Sequence, residues 1–201
     1  MESIRNNIRG SIYGEHLRDL IEIQQEMTAR VELIRKDMRE EIGMDPVEHC
    51  LSRVKSEESM REKCRRKGLL ETEKSALEVI HDAIGFRIVC AFVDDVYTIR
   101  DRLAAFPDCE VIEEKDYIRH AKLNGYRSYH MILRVRGQYY VEFQLRTISM
   151  DTWAALEHHL KYKKRIENES LIVQELKRCA DELASTDISM QTIRDMILEE
   201  N

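Results

Sequence analysis

Residues 124–147, NGYRSYHMILRVRGQYYVEFQLRT, constrain the fold most, because they read as two strands that carry more polar chemistry than a stable sheet needs. The stretch opens with Asn-Gly, a strong turn dipeptide, and continues through an apolar alternation into a second strand. Side chains alternate between the two faces of a strand, so Glu142, Gln144 and Arg146 share one face with Tyr140. The apolar residues between them share the other face. A carboxylate, an amide and a guanidinium in a row predict a site for a charged ligand.

Upstream of this stretch, apolar residues at three- and four-residue steps predict a long amphipathic helix at about residues 12–42 that ends at Gly43. A basic segment follows at residues 53–67, in which Ser59 is expected to cap a short helix. Charge runs of this kind are usually solvated faces. Residues 85–92 read as a strand, and they are apolar enough to predict a place inside the sheet rather than at its edge.

Downstream elements complete a mixed pattern of helices and strands. A strand is predicted at 110–116, a helix at 150–163, and a terminal helix at 168–199 with a break at 185–187. The predicted apolar stripe of the 150–163 helix consists of Trp153, Ala154, Leu156 and Leu160. We therefore expect an α+β (mixed α/β) fold, with a sheet of four or five strands and long amphipathic helices at both termini.

Composition narrows the class of protein. The 201 residues are expected to form a single domain. The net charge of −6 argues against general nucleic-acid binding, so RNA is not indicated as a partner. No apolar run approaches 18 residues and the first residues are charged, which predicts a cytoplasmic protein without a membrane segment. The five cysteines are scattered and never spaced C-x-x-C, so we expect reduced thiols rather than disulfides or a zinc site.

Phosphate binding would have to rely on side chains, because the G-x-x-x-x-G-K-[ST] loop is absent. Basic groups are available at Arg87 and around the 124–147 stretch, and carboxylates are available at Asp82 and Glu142. Magnesium is commonly held by one or two carboxylates and completed by substrate phosphates. This combination indicates nucleotide phosphate transfer. A network of structural ion pairs would use the same residue types, so the spacing alone leaves both interpretations open.

Four blocks of sequence resemble the RelA/SpoT-type alarmone synthetase domain. They are DAIGFRIVCAFVDDVYTI from Asp82, KDYIRHAKLNGYRSYH from Lys115, VEFQLRT from Val141 and MDTWAALEHHLKYK from Met150. With SRVKSEESMREKCRRK from Ser52, the resemblance covers a core of about 45–164, flanked by the terminal helices at 12–42 and 168–199. It implies a nucleotidyltransferase-like fold of about five strands and a small, single-domain enzyme of stringent-response signalling. The implied reaction transfers pyrophosphate from ATP to the 3′-hydroxyl of GDP or GTP, giving ppGpp or pppGpp and AMP.

The resemblance implies an ATP and metal half-site. By motif position, Arg53 and Arg87 would sandwich the adenine, a use suited to planar guanidinium groups. Lys55 and Lys63 would hold the ATP phosphates, and Asp82 would bind Mg²⁺.

It likewise implies an acceptor half-site. Glu142 would complete the metal site or activate the 3′-hydroxyl, and Gln144 would orient the hydroxyl or its neighbours. Tyr126 would stack on guanine. The groups expected near the phosphates of GDP or GTP are Lys122, Arg127 and His130.

Several alternatives stay open at the level of sequence. A toxin-like relative would pyrophosphorylate adenine nucleotides or the 3′ end of tRNA by the same reaction. A non-catalytic nucleotide- or RNA-binding regulator would be expected to lack Asp82 or Glu142, and this chain has both. The choice between GDP and GTP is open, because Glu113 or Glu114 replaces the usual basic residue ahead of Lys115 and Asp116. The resemblance also implies a homo-oligomer, expected to be a tetramer, with (p)ppGpp as an allosteric ligand in some members.

Overall fold

A computed structural model describes residues 10–161 and 168–200 of the chain, with a single sheet at its centre. The strands are β1 (Val47–Val54), β2 (Ile84–Cys90), β3 (Cys109–Asp116), β4 (Tyr129–Val135) and β5 (Tyr139–Thr147). They are ordered β1-β2-β5-β4-β3, and neighbours are antiparallel except for β2 and β5, which are parallel. The expected mixed α+β fold with about five strands is confirmed.

Helices flank this sheet and supply most of the remaining core. They are α1 (Leu17–Ile42), α2 (Glu57–Arg66), α3 (Val93–Ala104), α4 (Ile148–Lys161) and α5 (Glu169–Glu199), with a short π-helical turn at Ser75–Val79. Buried residues of α1 and α3 form one apolar cluster with the inner face of the sheet, where Phe86 and Phe143 stack with ring centroids 4.9 Å apart. The opposite face of the sheet carries the polar side chains of β5. None of the described helices is long and apolar enough to cross a membrane.

Two boundaries in the N-terminal half depend on capping. Gly43 ends α1 as predicted: its φ of 77° is left-handed, and its N–H donates to the carbonyl of Arg39. The cap of α2 is Ser56, whose hydroxyl accepts from the N–H of Ser59, so the prediction of Ser59 as the cap was wrong. Strand β1 was not predicted, because it is an edge strand of mostly half-exposed and exposed residues without an apolar run.

The C-terminal half differs from expectation in two ways. Helix α5 continues through 185–187 because Asp187 faces inward and accepts a 2.6 Å hydrogen bond from Thr147 Oγ1. Trp153 is buried as predicted, but Leu156 and Leu160 are 58% and 52% exposed, so the predicted stripe was wrong at those two positions. The predicted end of that helix, residues 162–163, lies outside the described residues.

Candidate functional site

A cleft of about 260 Å³ opens on the polar face of the sheet, over β1, β2 and β5. Six of the predicted site residues line it: Arg53, Lys55, Asp82, Arg87, Glu142 and Gln144. Register explains the shape, because Gly85 of β2 lies between Arg53 on β1 and Glu142 on β5. A Cβ built on Gly85 would meet nothing within 4 Å, so the missing side chain leaves an open floor between a guanidinium and a carboxylate.

Asp82 lies just before β2 and forms ion pairs with two lysines. The ammonium groups of Lys55 and Lys63 both donate to Asp82 Oδ2, the latter at 2.5 Å. Burial acts to raise the pKa of Asp82, but the two hydrogen bonds outweigh it and the pKa is lowered. For Lys55 burial is the larger effect, and its pKa is lowered despite the carboxylate beside it. The cluster is therefore a charged group with a carboxylate that stays ionised at neutral pH.

The second oxygen of Asp82 bears on metal binding. Oδ1 is buried and has no hydrogen-bond partner within the described part of the chain. A buried carboxylate oxygen without a partner is costly unless a ligand satisfies it. No group of three or more His, Cys, Asp or Glu side chains arranged to hold a metal occurs among residues 10–161 and 168–200. Asp82 and Glu142 thus fit a hard cation that takes its remaining ligands from phosphates and water.

Glu142 belongs to a closed ring of polar contacts on the same face. Gln144 Nε2 donates to Glu142 Oε2 at 3.0 Å, and Arg146 Nη2 donates to Gln144 Oε1 at 3.1 Å. The same Arg146 nitrogen donates to the hydroxyl of Tyr126 at 2.8 Å, and that hydroxyl lies 2.8 Å from His130 Nε2. His130 Nδ1 lies 3.7 Å from Glu142 Oε1, and this contact closes the ring. We call these five residues the polar ring.

His130 is held neutral within this ring. Burial, followed by the nearby charges of Arg146, Lys122 and Lys115, lowers the pKa of His130 to about 4. Arg146 and Lys115 are ion-paired with Asp151 and Glu113, so the ammonium of Lys122 is the group of the three that leaves this region open to a negative charge. Such a region attracts an anionic ligand.

An aromatic cluster extends the site beyond β4. The ammonium of Lys122 lies 4.5 Å from the ring centroid of Tyr117 and 4.7 Å from that of Tyr126. Tyr117 also packs edge-on against His130, with ring centroids 5.3 Å apart. The loop brings Lys122 there because its N–H donates to the Tyr126 carbonyl and its own carbonyl accepts from Gly125. We call Tyr117, Lys122, Tyr126 and His130 the acceptor cluster.

The structure pairs Arg127 with helix α5. Its guanidinium donates to Asp181 of α5 at 2.8 Å and to the carbonyl of Gly125 at 3.2 Å. A phosphate contact by Arg127, expected from the resemblance, would have to compete with that ion pair. Sequence reasoning gave no role to Tyr117 or Asp151, although Asp151 accepts from Arg146 at 2.9 Å. Asp151 lies in the first turn of a helix, where an acidic residue is ordinary, and this concealed it.

The amino-acid sequence is similar to those of known proteins. A family model described as a region found in RelA / SpoT proteins matches residues 52–167. The chain is 42% identical over 146 residues to the GTP pyrophosphokinase YwaC of Bacillus subtilis (strain 168), covering 69% of this chain and 70% of that protein. It is 34% identical over 182 residues to the GTP pyrophosphokinase YjbM of the same organism, covering 87% and 85%.

The fold agrees with these similarities. The crystal structure of the small alarmone synthetase 1 from Bacillus subtilis, bound to its product pppGpp, superposes with a TM-score of 0.75 at 33% identity, covering 89% of this chain and 94% of that one. The sequence blocks, the mixed sheet and the cleft carboxylates lead to one assignment: the chain belongs to the RelA/SpoT family.

Proposed function

We propose that this protein is a (p)ppGpp synthetase that transfers pyrophosphate from ATP to the 3′-hydroxyl of GDP or GTP and releases AMP. One observation carries the proposal: Glu142 lies between a lysine-aspartate cluster in the cleft on one side and the acceptor cluster on the other. Two nucleotides bound at these places would meet at Glu142. Two relatives named above are GTP pyrophosphokinases, and the similar structure of small alarmone synthetase 1 is bound to its product pppGpp, which supports the same reaction.

The ATP half-site is assigned to the cleft. Arg53 and Arg87 lie on neighbouring strands at its wall, and guanidinium planes stack favourably on an adenine ring. Lys55 and Lys63 would turn from Asp82 to the β- and γ-phosphates, whose charge is greater than that of one carboxylate. Asp82 and Glu142 would hold Mg²⁺. That ion would neutralise charge on the phosphates and polarise the transferred group.

The acceptor half-site is assigned to the acceptor cluster. Guanine would stack on Tyr126, and Lys122 with His130 would lie near the phosphates of GDP or GTP. Glu142 accepts the proton of the 3′-hydroxyl as the 3′-oxygen bonds to the β-phosphorus of ATP. The bond from that phosphorus to the oxygen bridging the α- and β-phosphates breaks, and AMP leaves with the bridging oxygen. Gln144, which donates to Glu142 Oε2, keeps the carboxylate aimed during this step.

A product assay tests the proposal. The protein is incubated with ATP, Mg²⁺ and one of GDP, GTP, ADP or tRNA, and AMP and the pyrophosphorylated product are separated by anion exchange. We expect transfer to GDP or GTP, and at least a ~10²-fold lower rate for Glu142→Gln, since that substitution removes the base. Glu110→Gln, an exposed glutamate of β3, is the matched control. Transfer to ADP or tRNA alone would reassign the acceptor, and no transfer to any of the four would refute the proposal.

We also infer that the synthetase is one domain in which both terminal helices belong to the working unit, and that copies of it associate. Helices α4 and α5 expose apolar side chains, among them Leu156 at 58%, Met190 at 48% and Ile193 at 48%. An apolar helical face of this kind is typical of an interface. Sedimentation should give a mass above that of one chain, and Ile193→Lys should lower it. A monomer at micromolar concentration would contradict the inference.

A further inference from the structure

One member of the polar ring, Arg146, has no role in the reaction proposed above. Arg146 is the member of the ring that contacts both Gln144 and Tyr126, and its side chain is 6% exposed. We propose that Arg146, held by Asp151, is a positioning residue that fixes the base Glu142 and the stacking ring of Tyr126 relative to each other. This inference rests on the proposed function.

A stabilising role does not explain which residues Arg146 contacts. Its Nε is buried without a hydrogen-bond partner in the described part of the chain, and an unpaired buried N–H costs free energy. A buried ion pair is in general no more stabilising than well-packed apolar side chains. The contacts that Arg146 does make all end on residues of the site or on Asp151.

The first contact sets the orientation of an amide. Arg146 donates to Gln144 Oε1, so the other end of that amide, the NH₂ group, must face Glu142, where it donates to Oε2. Without the guanidinium, a rotated amide would present its oxygen to the carboxylate and repel it. Arg146 thereby determines that the amide engages Oε2 of Glu142, so that Oε1, which lies 3.7 Å from His130 Nδ1, would face the metal and the reacting hydroxyl.

The second contact sets the position of an aromatic ring. The hydroxyl of Tyr126 receives a hydrogen bond from Arg146, and the guanidinium carbon lies 5.3 Å from the centroid of that ring. Tyr126 is in a loop, so these contacts and His130 define where a stacked base would lie. If stacking were the whole function of Tyr126, phenylalanine would replace it without loss.

The third contact links the polar ring to the ATP half-site. Asp151 Oδ1 accepts from Arg146 Nη1 at 2.9 Å and lies 3.7 Å from Arg87 Nη1. Arg87 on β2 and Arg146 on β5 therefore both face the carboxylate of Asp151 at the start of α4. A planar guanidinium can hold Asp151, Gln144 and Tyr126 together, whereas a lysine ammonium on a flexible stem cannot reproduce that geometry.

Steady-state kinetics of Arg146→Lys, Asp151→Asn and Tyr126→Phe test the proposal, with Arg134→Lys and Asp101→Asn as controls outside the ring. We expect Arg146→Lys to lower kcat by about 10²-fold, because a misplacement near 1 Å costs about that much, while KM for ATP stays within about twofold. Asp151→Asn and Tyr126→Phe should each lower kcat by about 10-fold, again with little change in KM. The controls should keep the wild-type kcat.

Folded Arg146→Lys protein with a kcat within about threefold of wild type would overturn the proposal. If that variant fails to fold, Tyr126→Phe and Asp151→Asn decide, and wild-type kcat in both overturns it. If the wild-type protein makes no product, the proposed function fails, and the side-chain amide signals of Gln144 in NMR spectra still test the geometry. Arg146→Lys should then shift those amide signals and speed their exchange with solvent, since the hydrogen bond to Gln144 Oε1 is lost, and unchanged signals would overturn the inference.

Discussion

The contact between Gly125 and helix α5 gives a sharp prediction, because the helix leaves no room for a side chain there. Gly125 has a φ of 92°, and a Cβ built on it would lie 2.7 Å from Ala180 Cβ and 3.0 Å from Lys177 Cα. Gly137, in the turn between β4 and β5, has a φ of 73°, and a Cβ built on it would meet nothing within 4 Å. The two glycines share a left-handed backbone and differ in available space.

The two alanine variants should therefore differ by the steric contribution alone. A left-handed backbone at a residue with a Cβ costs about 1 kcal/mol, which both variants incur. Overpacking against a helix backbone adds about 1–3 kcal/mol, and only Gly125→Ala incurs it. We expect Gly125→Ala to lower the free energy of unfolding by about 2–4 kcal/mol and Gly137→Ala by about 1 kcal/mol.

Urea unfolding followed by circular dichroism measures both values. Adding Ala180→Gly removes one of the two clashing atoms, so the double variant should be more stable than the sum of the single changes predicts. Because Tyr126 is the next residue, the rate of pyrophosphate transfer should fall in Gly125→Ala and not in Gly137→Ala. Equal destabilisation by the two alanines would refute the steric reasoning.

Three further predictions concern other contacts. Arg194→Met should lower the free energy of unfolding in urea by about 3 kcal/mol, since it leaves the buried carboxylate of Asp95 without its ion-pair partner, whereas exposed Arg178→Met should cost less than about 1 kcal/mol. The unfolded chain protonates His130 near pH 6.5 and the folded chain near pH 4, so stability relative to His130→Gln should fall by about 2 kcal/mol from pH 7 to pH 5 and level off below pH 4. A drop of the same size in His130→Gln would contradict this. The single tryptophan, Trp153, is buried beside the acceptor cluster, so its fluorescence should change on titration with GDP, and a constant signal at saturation would contradict binding there.

Local patterns predicted the parts of the fold that local physics determines. The alternation along β5 placed Glu142 and Gln144 on one face, because a strand allows no other arrangement once its apolar residues are buried. Gly43 ended α1 for an equally local reason. Strand β1 escaped prediction because an edge strand needs no apolar run, and its position depends on pairing with β2.

Contacts between distant residues explain the remaining differences. The hydrogen bond from Thr147 to Asp187 keeps α5 continuous through a Ser-Thr-Asp sequence that locally favours a turn. Arg127 faces Asp181, 54 positions away, which no spacing rule could reveal. The motifs indicated Asp82 and Glu142 as site residues, but the contacts that join Glu142 to Tyr126 through Arg146 depend on how the chain folds and leave no pattern in the sequence.

The single parallel pairing in the sheet has a consequence for folding. Strands β1 and β2 pair with each other, and β3, β4 and β5 form a second antiparallel unit, so the β2–β5 pairing is the seam between the two. It joins Gly85 to Glu142, which are 57 positions apart, and contacts this distant in sequence form slowly. A slip of one residue at the seam would replace Glu142 with an apolar neighbour in the cleft. The stacking of Phe86 on Phe143 opposes that slip, so the same pairing that completes the core also sets which side chain meets the substrates.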